Sequence, residues 1–224
     1  MNESRSNLRS WLIAIVCLLV AAGSGLSIYF TQFAAPDFKV PLHRAVGQTL
    51  AEETSRLLGH HGKIVLISIE SAKAPELNVQ LEQFEETLKR AGSVKIEKTY
   101  HLETEGKAKY GTGSGLSGRR YVRIVNKNTD ADAFVSFVGV PDLADTELNE
   151  LKKKPKLVAE TRSVEKLAKA FQQQIVQVAI ASRFNFPAPV EGKPRSSRQW
   201  FDKYFEIVTL DNFKALLSLN APEK

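Results

Sequence analysis

Residues 131–142 read ADAFVSFVGVPD, and this stretch decides the fold. From Ala131 to Val140, eight of ten residues are apolar or glycine, rich in Val and Phe. Asp130 and Asp132 bound the run on one side, and Pro141 and Asp142 on the other. A strand without polar alternation fits a parallel sheet covered on both faces. Parallel neighbours need crossover connections, so helices and strands should alternate through the rest of the chain.

Working outward, the pattern holds. Lys63–Ile69, KIVLISI, reads as the first strand. Pro75–Ala91 reads as a helix: proline suits its first turn, Leu77, Leu81, Phe84 and Leu88 recur at helical spacing, and Gly92 stops it. Val94–Leu102 is a second strand, partly alternating as expected near an edge. The crossover between these two strands should be right-handed. Upstream, His43–Leu58 is an amphipathic helix stopped by Gly59. Downstream, Glu103–Gly118 is a polar, glycine-rich loop and Arg120–Asn128 a helix. The third strand is Ala131–Val140. A short helix at Ala144–Lys153 and a fourth strand at Lys156–Ala159 follow. Ser163 can cap a helix through Ala170 or beyond. Gln174–Ser182 is either a fifth strand or a continuation of that helix. Phe186–Ser197 holds three prolines and reads as irregular, Tyr204–Thr209 as a last strand, and Asp211–Leu219 as a closing helix. The fold class implied is α/β: a flavodoxin-like, doubly wound, mainly parallel sheet of order 2-1-3-4-5, with helices on both faces in three layers.

An apolar segment precedes this domain. Trp11–Phe30 is twenty residues without a charge, about 30 Å of helix at 1.5 Å per residue, the thickness of a bilayer core. Arg5 and Arg9 precede it, and positive flanks stay cytoplasmic. Cleavage as a signal peptide needs a shorter apolar core and a better site than Ala21-Ala22-Gly23. Lipidation at Cys17 needs a small residue where Val16 stands. The reading adopted is an uncleaved signal anchor. Residues 1–10 are then cytoplasmic, 11–30 a transmembrane helix, 31–41 a linker with Pro36 and Pro41, and 42–224 an extracytoplasmic domain. The expected location is a cell inner membrane, crossed once, with the C-terminal domain periplasmic. Cys17 is the single cysteine, so intrachain disulfides and cysteine metal sites are excluded. An exported domain without disulfides is unremarkable in a bacterium. Net charge is +6; residues 1–30 carry Arg5, Arg9 and Glu3, which leaves +5 on the rest. The one tight basic run, Lys152-Lys153-Lys154, is a weak footprint for nucleic acid, which is not expected as a partner.

The run from KIVLISIESAKAPELNVQLEQFEETLKRAG to ADAFVSFVGVP resembles one lobe of a type I periplasmic binding protein, over roughly Lys63–Arg183. The resemblance lies in the first strand, the helix ending LKRAG, and the later strand followed by glycine and proline. It implies a domain that binds a small molecule such as a sugar or an amino acid. Family members close two lobes around their ligand. Here one lobe is present, so a hinged cleft requires a partner chain or does not exist.

Motifs for chemistry are weak. Gly113-Ser-Gly115-Leu-Ser117-Gly118 matches G-x-G-x-x-G, and a helix follows, but the strand ends near Leu102, too early for a dinucleotide site. Gly113, Gly115, Ser117 and Gly118 remain an anion loop candidate through the amides of the helix start, helped by Arg119 and Arg120. Ser163-Val-Glu-Lys166 matches S-x-x-K without its companion motifs and reads as a helix cap. His60-His61 reads as a solvated turn, not a metal site. No cofactor or metal is expected, and no catalytic residue is assigned. Glu70 and Glu160 both follow strands and could pair for acid–base work, yet nothing else signals a reaction. An enzyme ranks third, after a ligand-binding or sensing module and an interaction domain of an envelope complex.

Open α/β sheets bind ligands outside the carboxyl ends of their strands, where connections diverge. The expected ligand-binding residues are therefore Glu70, Ser71, Gly139, Pro141, Asp142, Glu160 and Arg183, with Thr161 and Ser182 completing the rim. Glu70 and Asp142 suit a hydroxylated or cationic ligand, and Arg183 an anion. The glycine loop is expected at the opposite end of the sheet unless it folds back. The topology has a direct check. A reporter fused after Lys224 should be active only outside the cytoplasm, and cytoplasmic activity would overturn the anchor.

Overall fold

The computed structural model describes residues 3–29, 38–69, 74–102, 116–161, 164–183 and 192–218. The chain separates into two compact units, Met1–Lys39 and Val40–Lys224. The first unit holds helix α1, Glu3–Ile28. Trp11, Ile15, Val16, Leu18, Leu19, Val20 and Leu26 are all exposed on it. Among the described residues, which leave out the side chains of Leu12, Ile13 and Ile28, no helix is long and apolar enough to cross a membrane.

The second unit is built on a six-stranded sheet. In chain order its elements are α2 (Val40–Leu57), β1 (Gly62–Ile69), α3 (Pro75–Ala91), β2 (Val94–Leu102), α4 (Gly118–Lys127), β3 (Ala133–Ser136), α5 (Asp145–Asn149), β4 (Lys156–Thr161), α6 (Val164–Gln172), β5 (Val176–Ser182), α7 (Ser197–Tyr204), β6 (Phe205–Thr209) and α8 (Leu210–Ser218). The spatial order is β2-β1-β3-β4-β5-β6. The first five strands are parallel and β6 runs antiparallel to β5. The sheet is thus α/β and mostly parallel, in the expected 2-1-3-4-5 order with one strand more. Gln174–Ser182 resolves as strand β5, separate from α6.

Strand parity divides the core into two faces. Val65, Ile67, Phe134, Leu157 and Ala159 pack with Tyr121, Val122 and Val125 of α4, Leu167 and Phe171 of α6 and Phe213 of α8. Ile64, Leu66, Val135, Val158 and Ile180 pack with Val46 and Leu50 of α2, Leu77 and Phe84 of α3 and Phe201 of α7. That two-sided burial explains the unbroken apolar runs.

Three sequence boundaries need correction. The third strand is four residues long, not the ten of the apolar run. Ser136 ends it, because its Oγ donates to the Gly139 carbonyl at 2.6 Å and accepts the Val138 amide at 3.3 Å. Gly139 itself has φ 103°, a conformation that glycine adopts without a Cβ clash. The apolar residues beyond Ser136 fill the core from a turn. The second correction is α7, which occupies the segment between the proline-rich stretch and β6. Ser196 caps it, accepting the Gln199 amide at 3.2 Å. The third is α5, which spans only Asp145–Asn149.

Helices α2 and α3 pack closely. Gly47 lies against the Gln80 backbone, and a Cβ there would collide with the Gln80 carbonyl oxygen. Gly47→Ala should force the helices apart and destabilise by about 1–3 kcal/mol, the usual cost of overpacking. Val135 is fully buried in β3, so Val135→Asp should abolish the cooperative melt: an unpaired buried charge costs several kcal/mol against a total of about 5–15. A wild-type melting curve from either variant would contradict this packing.

Candidate functional site

The carboxyl ends of β1 and β3 are neighbours inside the sheet, and their connections part there. After β1 the chain enters α3, on the face of Leu77 and Phe84. After β3 it turns toward the other face, where Val140 and Leu143 are buried and Leu148 packs against them. This is the topological switch point of a doubly wound sheet.

On the α6 side of that point lies a shallow groove of about 270 Å³, lined by Pro141, Asp142, Lys166, Lys169, Ala170 and Gln173. Lys169 Nζ stands 3.0 Å from Asp142 Oδ1. That hydrogen bond, the charge of Lys169 and the more distant charge of Lys166 hold the Asp142 carboxyl below the usual carboxylate range, against the opposing effect of burial. The pair is half-exposed, so it adds little stability, about 0–1 kcal/mol. It presents an ionised carboxylate and two ammonium groups beside the apolar floor of Pro141 and Ala170. Such a groove can hydrogen-bond hydroxyl groups from both partners of the ion pair. Gln173 adds an amide, which donates to the Leu143 carbonyl at 3.3 Å.

The start of α4 completes this corner. Ser117 forms an isolated parallel bridge with Asp142. A Cβ on Gly118 would stand 2.6 Å from the Asp142 carbonyl oxygen and collide with the Glu147 carboxylate. Gly118 is therefore needed for close approach of α4 to the loop after β3. Ser117 and Gly118, the described end of the glycine motif, thus lie at the carboxyl edge, where the sequence reading put the loop only if it folded back. In a parallel α/β unit a helix runs back from the carboxyl edge to the amino edge, so the helix before β3 must begin at the carboxyl edge.

The expected rim residues separate into groups. Gly139, Pro141, Asp142, Ser117 and Gly118 come together at one corner. Glu160 is buried at the end of β4. It shares the strand face of Val158, toward α2, α3 and α7, and so points away from the groove on the α6 side. Thr161 takes the other face. Arg183 is held by β6: its amide donates to the Tyr204 carbonyl at 2.7 Å, its Nε to the Phe205 carbonyl at 3.1 Å, and Nη2 pairs with Glu206. Its guanidinium closes the β5–β6 edge. Glu70, Ser71, Gly113 and Gly115 lie outside the described residues. Among the described residues no group of His, Cys, Asp and Glu could hold a metal ion. Lys166, Lys169 and Gln173 were missed in the sequence. Their i, i+3, i+7 spacing along α6 and one residue past its end was the available signal, once α6 is known to flank the switch point.

No family model and no curated protein matches the sequence. Among solved structures, the chain is similar to an arabinose-binding protein from Geobacillus stearothermophilus, with a TM-score of 0.53 and 15% identity over 78% of this chain and 63% of that one. A solute-binding protein of an ABC transporter from Burkholderia graminis, in complex with D-arabinose, gives a TM-score of 0.51 and 14% identity, covering 77% and 61%. A sugar-binding protein of a sugar ABC transporter from Bacillus halodurans gives 0.53 and 12%, covering 78% and 64%. The chain spans less than two thirds of the length of each of these proteins. The domain shares a periplasmic-binding-protein-like fold with part of each of these proteins.

Proposed function

We propose that this chain is a membrane-anchored, extracytoplasmic module that binds or senses a small hydroxylated ligand at the Pro141–Asp142 corner. The observation that carries the reading is the meeting of three features at the switch point: an open groove, an ionised carboxylate with two lysines, and the close-packed start of α4. The sugar-binding proteins that share the fold support the ligand class. The anchor reading rests on α1, one unbroken helix from Glu3 to Ile28 that takes in most of the uncharged stretch from Trp11, with its described large apolar side chains exposed. An exposed apolar surface of that kind marks an interaction site. A second reading, an interaction domain of an envelope complex, uses the same corner: the groove is shallow and open, so a partner lobe could close it.

A melting-shift screen of the full chain against pentoses and hexoses tests the first reading. A ligand at a hundred times its Kd should add about 2.7 kcal/mol of stability. Asp142→Ala and Lys169→Ala should then weaken that ligand's affinity at least tenfold, as expected for loss of a charge-assisted hydrogen bond, while leaving the melting temperature of the free protein nearly unchanged. Arg183→Ala should do the reverse. It strands the Glu206 carboxylate and the Phe205 carbonyl, at a cost of about 1–3 kcal/mol. Unchanged affinity in both groove variants would place the ligand elsewhere.

A further inference from the structure

Helix α4, GRRYVRIVNK, carries four cations and no acid. Tyr121, Val122, Ile124 and Val125 face the core. Arg119, Arg123 and Lys127 are exposed and Arg120 half-buried. The three exposed cations are spaced i, i+4 and i+8, so they form one line along the outer face. Among the described residues none of the four has an ion-pair partner. The line continues past the helix end, where the Lys152 amide donates to Asn126 Oδ1 at 2.9 Å. Of the acids around it, Glu147 of α5 has its carboxylate beside Gly118 and accepts the Ala144 amide at 3.0 Å, and Asp130, three residues past Lys127, pairs with Lys63.

This arrangement works against the helix twice. Like charges four residues apart repel. Arg119 and Arg120 also sit in the first turn, where the helix dipole disfavours cations; the turn carries no acid of its own, and Glu147 of α5, whose carboxylate lies beside Gly118, is a single charge against the two. An external anionic surface would relieve both penalties, and guanidinium groups bind phosphate through paired hydrogen bonds.

We propose that the outer face of α4 docks onto anionic phospholipid headgroups of the membrane that carries the anchor. The proposal rests on the anchored reading above. Residues 29–39 separate α1 from α2, and eleven residues reach at most about 40 Å when fully extended. A tethered domain meets its own membrane at high effective concentration, so a weak electrostatic contact is sufficient.

The test uses the full chain in proteoliposomes of phosphatidylcholine, with or without 30% phosphatidylglycerol. In a Cys17→Ser background, a donor dye is placed at exposed Thr129, just past α4, through Thr129→Cys. A second variant carries it at exposed Ser197 on α7, which packs on the other face of the sheet, through Ser197→Cys. Energy transfer to headgroup-labelled lipid should rise at least twofold at position 129 in the anionic membrane, and not at 197. Combined Arg119→Glu, Arg123→Glu and Lys127→Glu should remove the rise without changing the melting temperature, and 0.5 M salt should remove it too. Equal transfer in both membranes, with the chain resistant to alkaline extraction, overturns the docking alone. A rise that survives the triple substitution also overturns it, as does a rise at both positions. Extraction by alkali overturns the anchor, and the docking with it.

Discussion

The β1–β3 ladder is the constraint from which the rest follows. Ile64 to Ile67 pair in parallel with Ala133 to Ser136, and every one of these residues is fully buried. A parallel pair cannot be closed by a hairpin, so each strand must send its chain away over a face of the sheet. Because α3 leaves on one face and the loop to α5 on the other, the sheet has a switch point between β1 and β3. The groove at Pro141 and Asp142 is a consequence of that divergence. It needs no local motif, which is why none announces it.

The same ladder explains how much could be read in advance. Runs such as KIVLISI carry no alternation because both faces are covered, and that property exposes the layer number directly; the 2-1-3-4-5 order followed from the doubly wound pattern of the strands and helices. Boundaries were harder, because an apolar run does not say where pairing stops. Phe137 and Val140 are as buried as Phe134, yet they pack from a turn fixed by the Ser136 hydroxyl and the positive φ of Gly139. Helix α7 was hidden for a different reason. It follows a proline-rich segment and shows a single fully buried side chain, Phe201, so its apolar period is short.

At the site, position along the chain was legible and side-chain direction was not. Asp142 and Pro141 were identified as the carboxyl end of the central strand, and they line the groove. Glu160 and Arg183 follow from the same rule, but a rule about strand ends is blind to strand parity. Parity turns Glu160 toward α2 and α3. An antiparallel sixth strand, with no counterpart in the expected order, engages Arg183. Gly118 was singled out for its motif, as part of an anion-loop candidate; strand and helix packing give it a further role that no motif shows, letting a helix start touch a neighbouring loop.

The central claim is that ligand meets this domain at the carboxyl edge. Amide hydrogen exchange, followed while the full chain is titrated with the pentoses and hexoses of the fold's sugar-binding members, addresses it most directly. The account expects protection concentrated in residues 139–143 and 166–173, and none in a second groove, which opens at the amino ends of β4 and β5 and is lined by Lys154, Lys156 and Leu210 among others. Protection confined to that amino-edge groove, or to neither region at saturating sugar, would contradict it.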